Sequence, residues 1–227
     1  PEVGIMVVQP QAVRLTSELP GRTSPRLIAE VRPQVGGIIQ KRLFTEGTDV
    51  KAGQVLYQID PALYRAEVAR AEAALTRAMA NVTSIRQRFE RYRELVKINA
   101  VSQQDYDDTS AALRQAEAEI EVAKAALQTA RINLDYTTVK APISGRIGRS
   151  AVTDGALVTT GQAQPLAVIQ QLDTIYVDVV QTTAELLNLK RNIDSGLLRE
   201  GDRAKVDLLL EDGTAYPLAG ELKFSEV

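Results

Sequence analysis

The chain contains no cysteine and no histidine. Thiol chemistry, zinc sites built on Cys or His, and every Ser/His or Cys/His triad are thereby excluded. Tryptophan is also absent, and aromatic residues make up only 4% of the 227 positions. That scarcity favours alanine-rich helices and small β-modules over one large aromatic core. No apolar run approaches the ~20 residues needed to span a bilayer as a helix. The net charge of −2 offers no electrostatic footprint for nucleic acid. What is present is a globular composition, 44% hydrophobic and 25% charged, long enough to bury a core in one domain or two. The chain opens at Pro1 without Met, so any signal peptide or lipid-bearing cysteine would lie upstream.

An internal repeat is the first structural signal. Residues 46–53 read Glu-Gly-Thr-Asp-Val-Lys-Ala-Gly and residues 154–161 read Asp-Gly-Ala-Leu-Val-Thr-Thr-Gly. Both fit acid-Gly-x-x-Val-x-x-Gly. Upstream lie Pro33, Gly36 and Ile38 in the first copy and Pro142, Gly145 and Ile147 in the second. Downstream lie the β-like runs Val55–Ile59 and Leu166–Ile169. Glycines at matched turn positions predict backbone at positive φ in two similar hairpins. Two copies are too few for a solenoid, so the repeat predicts a β-sandwich of two related halves.

Between the copies the period changes. Apolar or small residues recur at Tyr64, Val68, Ala71, Leu75, Ala78, Val82, Ile85, Phe89, Tyr92 and Val96. A second series runs Tyr106, Thr109, Leu113, Ala116, Ile120, Ala123, Leu127, Ala130 and Leu134. Alternating steps of three and four define two coiled-coil seams. Asp60-Pro61 is read as N-cap and N1 of the first helix. Ser102 opens the second, with Asp105 in a capping-box position and Val101 placed to staple against Tyr106. Only Asn99–Val101 separates the helices, so they fold back as an antiparallel hairpin, a rod of roughly 50 Å if each holds about 35 residues. Residues 61–98 carry eight Lys/Arg against four Asp/Glu, and residues 102–136 carry three against seven. Opposite charges favour pairing, although most of them simply solvate an exposed rod.

After the second repeat copy the chain turns β-rich. Ile175–Val180 reads as a strand and Thr183–Asn192 as a short amphipathic helix. Ala204–Leu210 and Glu221–Phe224 flank the turn signal Glu211-Asp212-Gly213-Thr214. With strand candidates Ile5–Val8 and Val13–Glu18, these predict a second β-module, a small barrel that Val227 leaves incomplete.

Two halves that each carry Gly-x-x-Val-x-x-Gly resemble the biotinyl/lipoyl carrier fold. Carriers place the modified lysine on the turn joining the halves. Here that junction holds Pro61-Ala62-Leu63 and then the helical hairpin, and no lysine occurs between Lys51 and Lys97. The split arrangement is similar to the periplasmic adaptors, or membrane fusion proteins, of tripartite efflux pumps, of the AcrA/MexA type. The segments that carry this resemblance are Glu18-Leu19-Pro20-Gly21-Arg22-Thr23, Ala29–Gly37, Lys41–Asp60, Ala141–Gly161, Ile175–Asp178 and Glu226-Val227.

The resemblance implies an elongated multidomain α+β chain: a lipoyl-like β-sandwich split by an antiparallel helical coiled-coil hairpin, plus a partial β-barrel. Residues 1–10 would supply a strand of a membrane-proximal domain. Residues 11–23 and 170–227 would form the barrel, 24–60 and 137–169 the lipoyl-like domain, and 61–136 the hairpin. It further implies a subunit in the periplasm of a Gram-negative bacterium, held to the inner membrane by an upstream lipoprotein anchor. That subunit would assemble as a hexamer and link an inner-membrane drug/proton antiporter of the resistance-nodulation-division (RND) class to a TolC-like outer-membrane channel. The family's tip signature of Arg, Leu and Ser falls on Arg91, Leu95 and Ser102, which the resemblance assigns to channel docking. Taken as residues alone, Ser102 is a helix cap, Arg91 a solvated coil residue and Leu95 the last layer of the coil.

No catalytic, cofactor-binding or metal-binding residue is expected, nor a nucleic-acid partner. Metal export is disfavoured because the two methionines, Met6 and Met79, are far apart. The alternatives are an adaptor for ATP-driven secretion, a lipoyl or biotinyl carrier domain, and a generic coiled-coil tether.

Overall fold

A computed structural model describes residues 16–195 and 205–222. Two compact units are distinguished: Thr23–Tyr176, and the residues before and after that span.

The first unit contains two four-stranded sheets. One has the order β5 (Thr138–Lys140), β4 (Val55–Ile59), β2 (Gly37–Arg42), β7 (Leu157–Val158). The other has the order β1 (Gly21–Val31), β8 (Ala167–Val179), β6 (Gly145–Ile147), β3 (Asp49–Val50). Each repeat copy therefore lends one short strand to the other's sheet. β7 of the second copy pairs with β2 of the first, and β3 of the first pairs with β6 of the second. The exchange is reciprocal at the level of single bonds. Gly47 N–H donates to the Ile147 carbonyl at 2.9 Å and Gly155 N–H to the Ile39 carbonyl at 2.8 Å. Ile39 N–H bonds the Ala156 carbonyl at 2.9 Å, as Ile147 N–H bonds that of Thr48 at 3.0 Å. The turns match as well, since Gln54 and Gln162 each accept a backbone N–H three residues upstream.

This geometry corrects the register of the sequence repeat. Gly37 and Ile39, not Gly36 and Ile38, are the counterparts of Gly145 and Ile147. Gly37 and Gly145 share φ near +156°. Ile39 and Ile147 are buried at 1% and 0% exposure, whereas Ile38 stands 50% exposed. The Gly36-Gly37 doublet hides the offset, because either glycine satisfies the pattern. Gly145 is required by close approach: a Cβ there would lie 2.4 Å from the Gln170 carbonyl oxygen.

The core fills the space between the two sheets with paired residues from both halves, among them Val50 with Val158, Leu56 with Leu166 and Ile59 with Ile169. Tyr57 is the one large aromatic, fully buried, with Phe44 packed edge-on against its ring at 5.3 Å. Its hydroxyl lies 2.7 Å from Ser150 Oγ and donates to the Leu166 carbonyl at 3.0 Å, and burial raises its pKa. At the edge of this network Glu46 accepts from Arg42 at 2.5 Å and from the Ser150 N–H at 2.9 Å.

The hairpin leaves at Ile59 and returns at Thr137, where Ile59 N–H donates to the Thr137 carbonyl at 2.8 Å. α1 spans Ala62–Lys97 and α2 spans Gln103–Tyr136. The residues of α1 that are not exposed are the ten predicted seam positions. On α2 the nine predicted positions are covered, together with Ser110, Glu117 and Asn133. A continuous stripe at period 3.5 leaves each helix one face to bury, and the partner helix is what covers it. Across the seam Phe89 stacks on Tyr106 at 5.5 Å. Two ion pairs cross as well, Arg86–Glu117 and Arg131–Glu72, both at 2.8 Å and half-exposed. Each contributes no more than about 1 kcal/mol, so packing and not charge holds the rod together. At the base, Tyr64 Oη donates to the Gly36 carbonyl at 2.7 Å, tying the first helical turn to the sheets. Pro61 proves to be the N-cap and not N1, for its carbonyl accepts the first helical bond, from Arg65 N–H. Asp60 still serves the helix start, accepting from Ala62 N–H at 3.0 Å.

In the second unit, α3 (Thr183–Asp194) begins with a reciprocal capping box between Thr182 and Glu185. β9 (Lys205–Val206) pairs with β10 (Gly220–Glu221), and a Leu209–Ala215 bridge closes the predicted Glu211–Thr214 turn. There the Asp212 carboxylate accepts both Thr214 N–H and its hydroxyl, which lowers its pKa. The strand expected at Val13–Glu18 is not seen where residues are described, since Thr16–Glu18 is irregular. The one expected at Ile5–Val8 lies outside the described residues. The run at Ile175–Val180 is the far end of the longer β8. Among the described residues no helix is long and apolar enough to cross a membrane.

Two predictions follow from the β-unit. Gly145→Ala drives a methyl group into backbone and should lower stability by about 1–3 kcal/mol, read as a reduced midpoint in urea denaturation. Glu46 has a pKa lowered from 4.5, chiefly by the Ser150 N–H. Its contribution is thus present above the unfolded carboxylate range and is lost as pH falls through the lowered folded value. Glu46→Gln should therefore make stability less sensitive to pH below 4.5, which melting curves at several pH values would measure.

Candidate functional site

The free end of the hairpin is where the three candidate residues lie. α1 ends in a Schellman motif. Ala100 N–H donates to the Leu95 carbonyl at 2.9 Å and Asn99 N–H to the Val96 carbonyl at 3.1 Å. Asn99 takes φ +54°, the left-handed conformation that this motif needs at C′. Leu95 is thus the residue on which the turn closes, with a half-exposed side chain at 37%. Ile98, the C-cap, stands out at 71%.

Ser102 is the N-cap of α2. Its Oγ accepts from Asp105 N–H at 3.1 Å and its hydroxyl donates to Asp105 Oδ2 at 2.6 Å. The expected capping box is therefore altered: the Asp105 carboxylate turns to the Ser102 hydroxyl. Asp is one methylene shorter than the Glu of the usual motif, whose carboxylate reaches the cap residue's backbone N–H. The only hydroxyl proton of Ser102 is already committed within the turn.

Arg91 and Leu95, one helical turn apart, line a shallow open groove on α1 with Gln87, Glu90 and Glu94. Ser102 is not part of that groove and sits across the turn from it. The cations of this stretch differ in what they touch. Arg86 is bound to Glu117, Arg93 and Lys97 to Glu94, and Arg88 lies over the Tyr92 ring at 5.3 Å. Lys97 is the main reason that the Glu94 carboxyl is held below its ordinary range. Arg91 alone in this stretch has no hydrogen bond, ion pair or ring contact among the described residues. Its guanidinium, five donors in a rigid plane, is left to solvent beside an exposed aliphatic surface. Such a surface can accept a partner's carboxylate or carbonyl next to an apolar contact; it has no chemistry of its own. Among the described residues no group of His, Cys, Asp and Glu could hold a metal ion. Asn99 was not foreseen from the sequence, although an asparagine just past a helix C-terminus is a known C′ signal.

Ser102→Ala should cost about 1 kcal/mol at the start of α2. Hydrogen exchange at the Asp105 amide should then speed by about fivefold, while amides in the β-unit keep their rates.

Comparison with known proteins agrees with this architecture. The barrel-sandwich hybrid domain of RND membrane fusion proteins matches residues 27–170, and their β-barrel domain matches residues 174–227. The chain is 58% identical over its whole length to multidrug resistance protein MexA of Pseudomonas aeruginosa. It is 56% identical to the multidrug/solvent efflux pump periplasmic linker protein MepA of Pseudomonas putida. In each case it covers 56% of the relative, so it spans about half the length of the curated relatives it matches. Among solved structures, a MacA–MexA chimera containing the Pseudomonas aeruginosa MexA α-hairpin domain superposes with a TM-score of 0.56 at 28% identity, over 88% of this chain and 62% of that one. With two domain models in chain order and a split β-unit of the same design, the chain belongs to the RND membrane fusion protein family, as an adaptor of the AcrA/MexA type.

Proposed function

We propose that this chain is the adaptor portion of a tripartite multidrug efflux pump, linking an inner-membrane RND drug/proton antiporter to a TolC-like outer-membrane channel. It works in the periplasm, tethered to the inner membrane through an upstream lipid anchor. Its relative MepA is a periplasmic linker protein of a multidrug/solvent efflux pump and its relative MexA a multidrug resistance protein, which supports this reading. Its activity is assembly and not turnover. The hairpins of six copies stand side by side as a duct, with the β-unit of 24–60 and 137–169 as the ring beneath them. The module of 11–23 and 170–227 faces the transporter. The antiporter supplies the driving force and the drug selection.

The observation that carries the reading is Arg91: an unpaired guanidinium one turn from half-exposed Leu95, at the end of a rod roughly 50 Å long. Other arginines along the rod, such as Arg70 and Arg77, are solvated as well, so it is the place of Arg91 beside Leu95 near the tip, and not its lack of a partner alone, that supports the reading. Arg91 and Leu95 are the contact residues for the channel, and Ser102 holds the start of α2 in place between them and the partner.

The test replaces Arg91, Leu95 and Ser102 together by alanine in the full-length protein. Binding to the purified channel should weaken by at least about tenfold, and cells carrying the variant should become drug-sensitive while making normal amounts of adaptor. Undiminished channel binding by the triple variant would exclude the docking role. Co-purification with an ATP-driven transporter in place of an antiporter would instead favour the secretion alternative.

A further inference from the structure

The connection at the tip holds no residue that forbids a helix. From 62 to 136 the chain contains neither glycine nor proline, the two residues that ordinarily end one. What turns the chain back is Asn99 at φ +54°, followed by the Ser102 cap. Every other residue with positive φ among the described residues is a glycine. A Cβ makes that conformation costly, and asparagine reduces the cost without removing it. Helical backbone through 98–102 would relieve it, at the loss of the Ser102 cap and of the bonds from Asn99 and Ala100 N–H. The seam also keeps its phase across the turn. Steps of three and four from Phe89, Tyr92 and Val96 lead on to Asn99, Gln103 and Tyr106, then to Ser110, Leu113, Glu117 and Ile120. The last five of these are all covered in the hairpin, so one unbroken helix would carry the seam through its middle.

The parts on either side of this turn meet through contacts that a second copy can supply equally well: β1 with β8, β3 with β6, β7 with β2, β4 with β5, and α1 with α2. A short, strained hinge between two such parts is the condition under which they exchange between copies. We infer that the chain has a second, domain-swapped form, in which the tip turn opens and α1 runs on into α2 as one helix. Each β-unit of this dimer is built from the first half of one copy and the second half of the other. The two units stand at opposite ends of an antiparallel two-helix rod about twice the length of the present one. The pairing that sets Arg86 against Glu117 and Glu72 against Arg131, continued to the centre, brings Asn99 beside Gln103 of the partner. Both are exposed in the hairpin, and side by side their amides can bond each other. The swapped form has no free tip, so on the docking reading above it is held out of the pump.

The test refolds the full-length adaptor from urea at low and at high protein concentration and sizes the products by light scattering. A dimer fraction that grows with concentration is expected. Asn99→Ala with Ser102→Ala favours helix at the tip and removes the cap, and should raise that fraction by about fivefold or more. Asn99→Gly suits the turn and opposes the helix, and should lower it by about the same factor. Topology is read with Arg86→Cys and Glu117→Cys, joined across the seam by a short bismaleimide. In a swapped dimer each link joins two chains, which then migrate as a dimer under denaturing conditions. Links confined within single chains, or equal dimer fractions in the wild type and both variants, would overturn the inference. So would monomer alone at every concentration in the alanine variant. The channel takes no part in the test, so the docking reading stands or falls separately.

Discussion

The attachment of the hairpin to the first unit depends on the pairing of β4 with β5, continued by the 2.8 Å bond from Ile59 N–H to the Thr137 carbonyl. It brings the outgoing and returning chain side by side at the edge of a sheet. A long insertion can then occupy the place of a two-residue turn without disturbing either half. Because the exit points are adjacent, the two helices must be antiparallel and in contact from their first turns. The seam then has only to continue what the base begins. Tyr64 adds the angular restraint, since its hydroxyl on the Gly36 carbonyl fixes how the first turn of α1 meets the sheet.

Much of this was legible in the sequence, for reasons that differ from element to element. The coiled coil was readable residue by residue because a seam of period 3.5 has to satisfy every turn of both helices, and no other element offers that redundancy. The repeat was readable in its turns, where glycine at φ near +80° has few substitutes. It slipped by one position at Gly36-Gly37, where a doublet removes the information. β1 left little trace: seven of its eleven positions are exposed, it contains Pro25, and it lies at the edge of its sheet, so no alternation announces it. Pro61 was displaced by one step because the preference of proline for N1 is statistical and the first helical bond decides.

The tip was legible in a different way. Arg91, Leu95 and Ser102 came from a resemblance and not from their own physical chemistry, which reads them as solvated, coil-closing and capping. The structure adds what spacing cannot give: that Arg91 is unpaired while its cationic neighbours are engaged, and that the Ser102 hydroxyl is already spent. Asn99 escaped because a single left-handed residue has no period.

The exchange of β3 and β7 between the halves has a consequence for biosynthesis. The first half is complete at Ile59, yet both edges of its β2–β4 pair remain open until β5 and β7 have been made. At about 5–20 residues per second of translation, the intervening hairpin delays that closure by several seconds. A helical hairpin can form within a small fraction of that interval. The rod can therefore collapse first and deliver the second half beside the waiting edge, turning a long-range search into a local one. Its zippered length then acts as an assembly guide for the newborn chain.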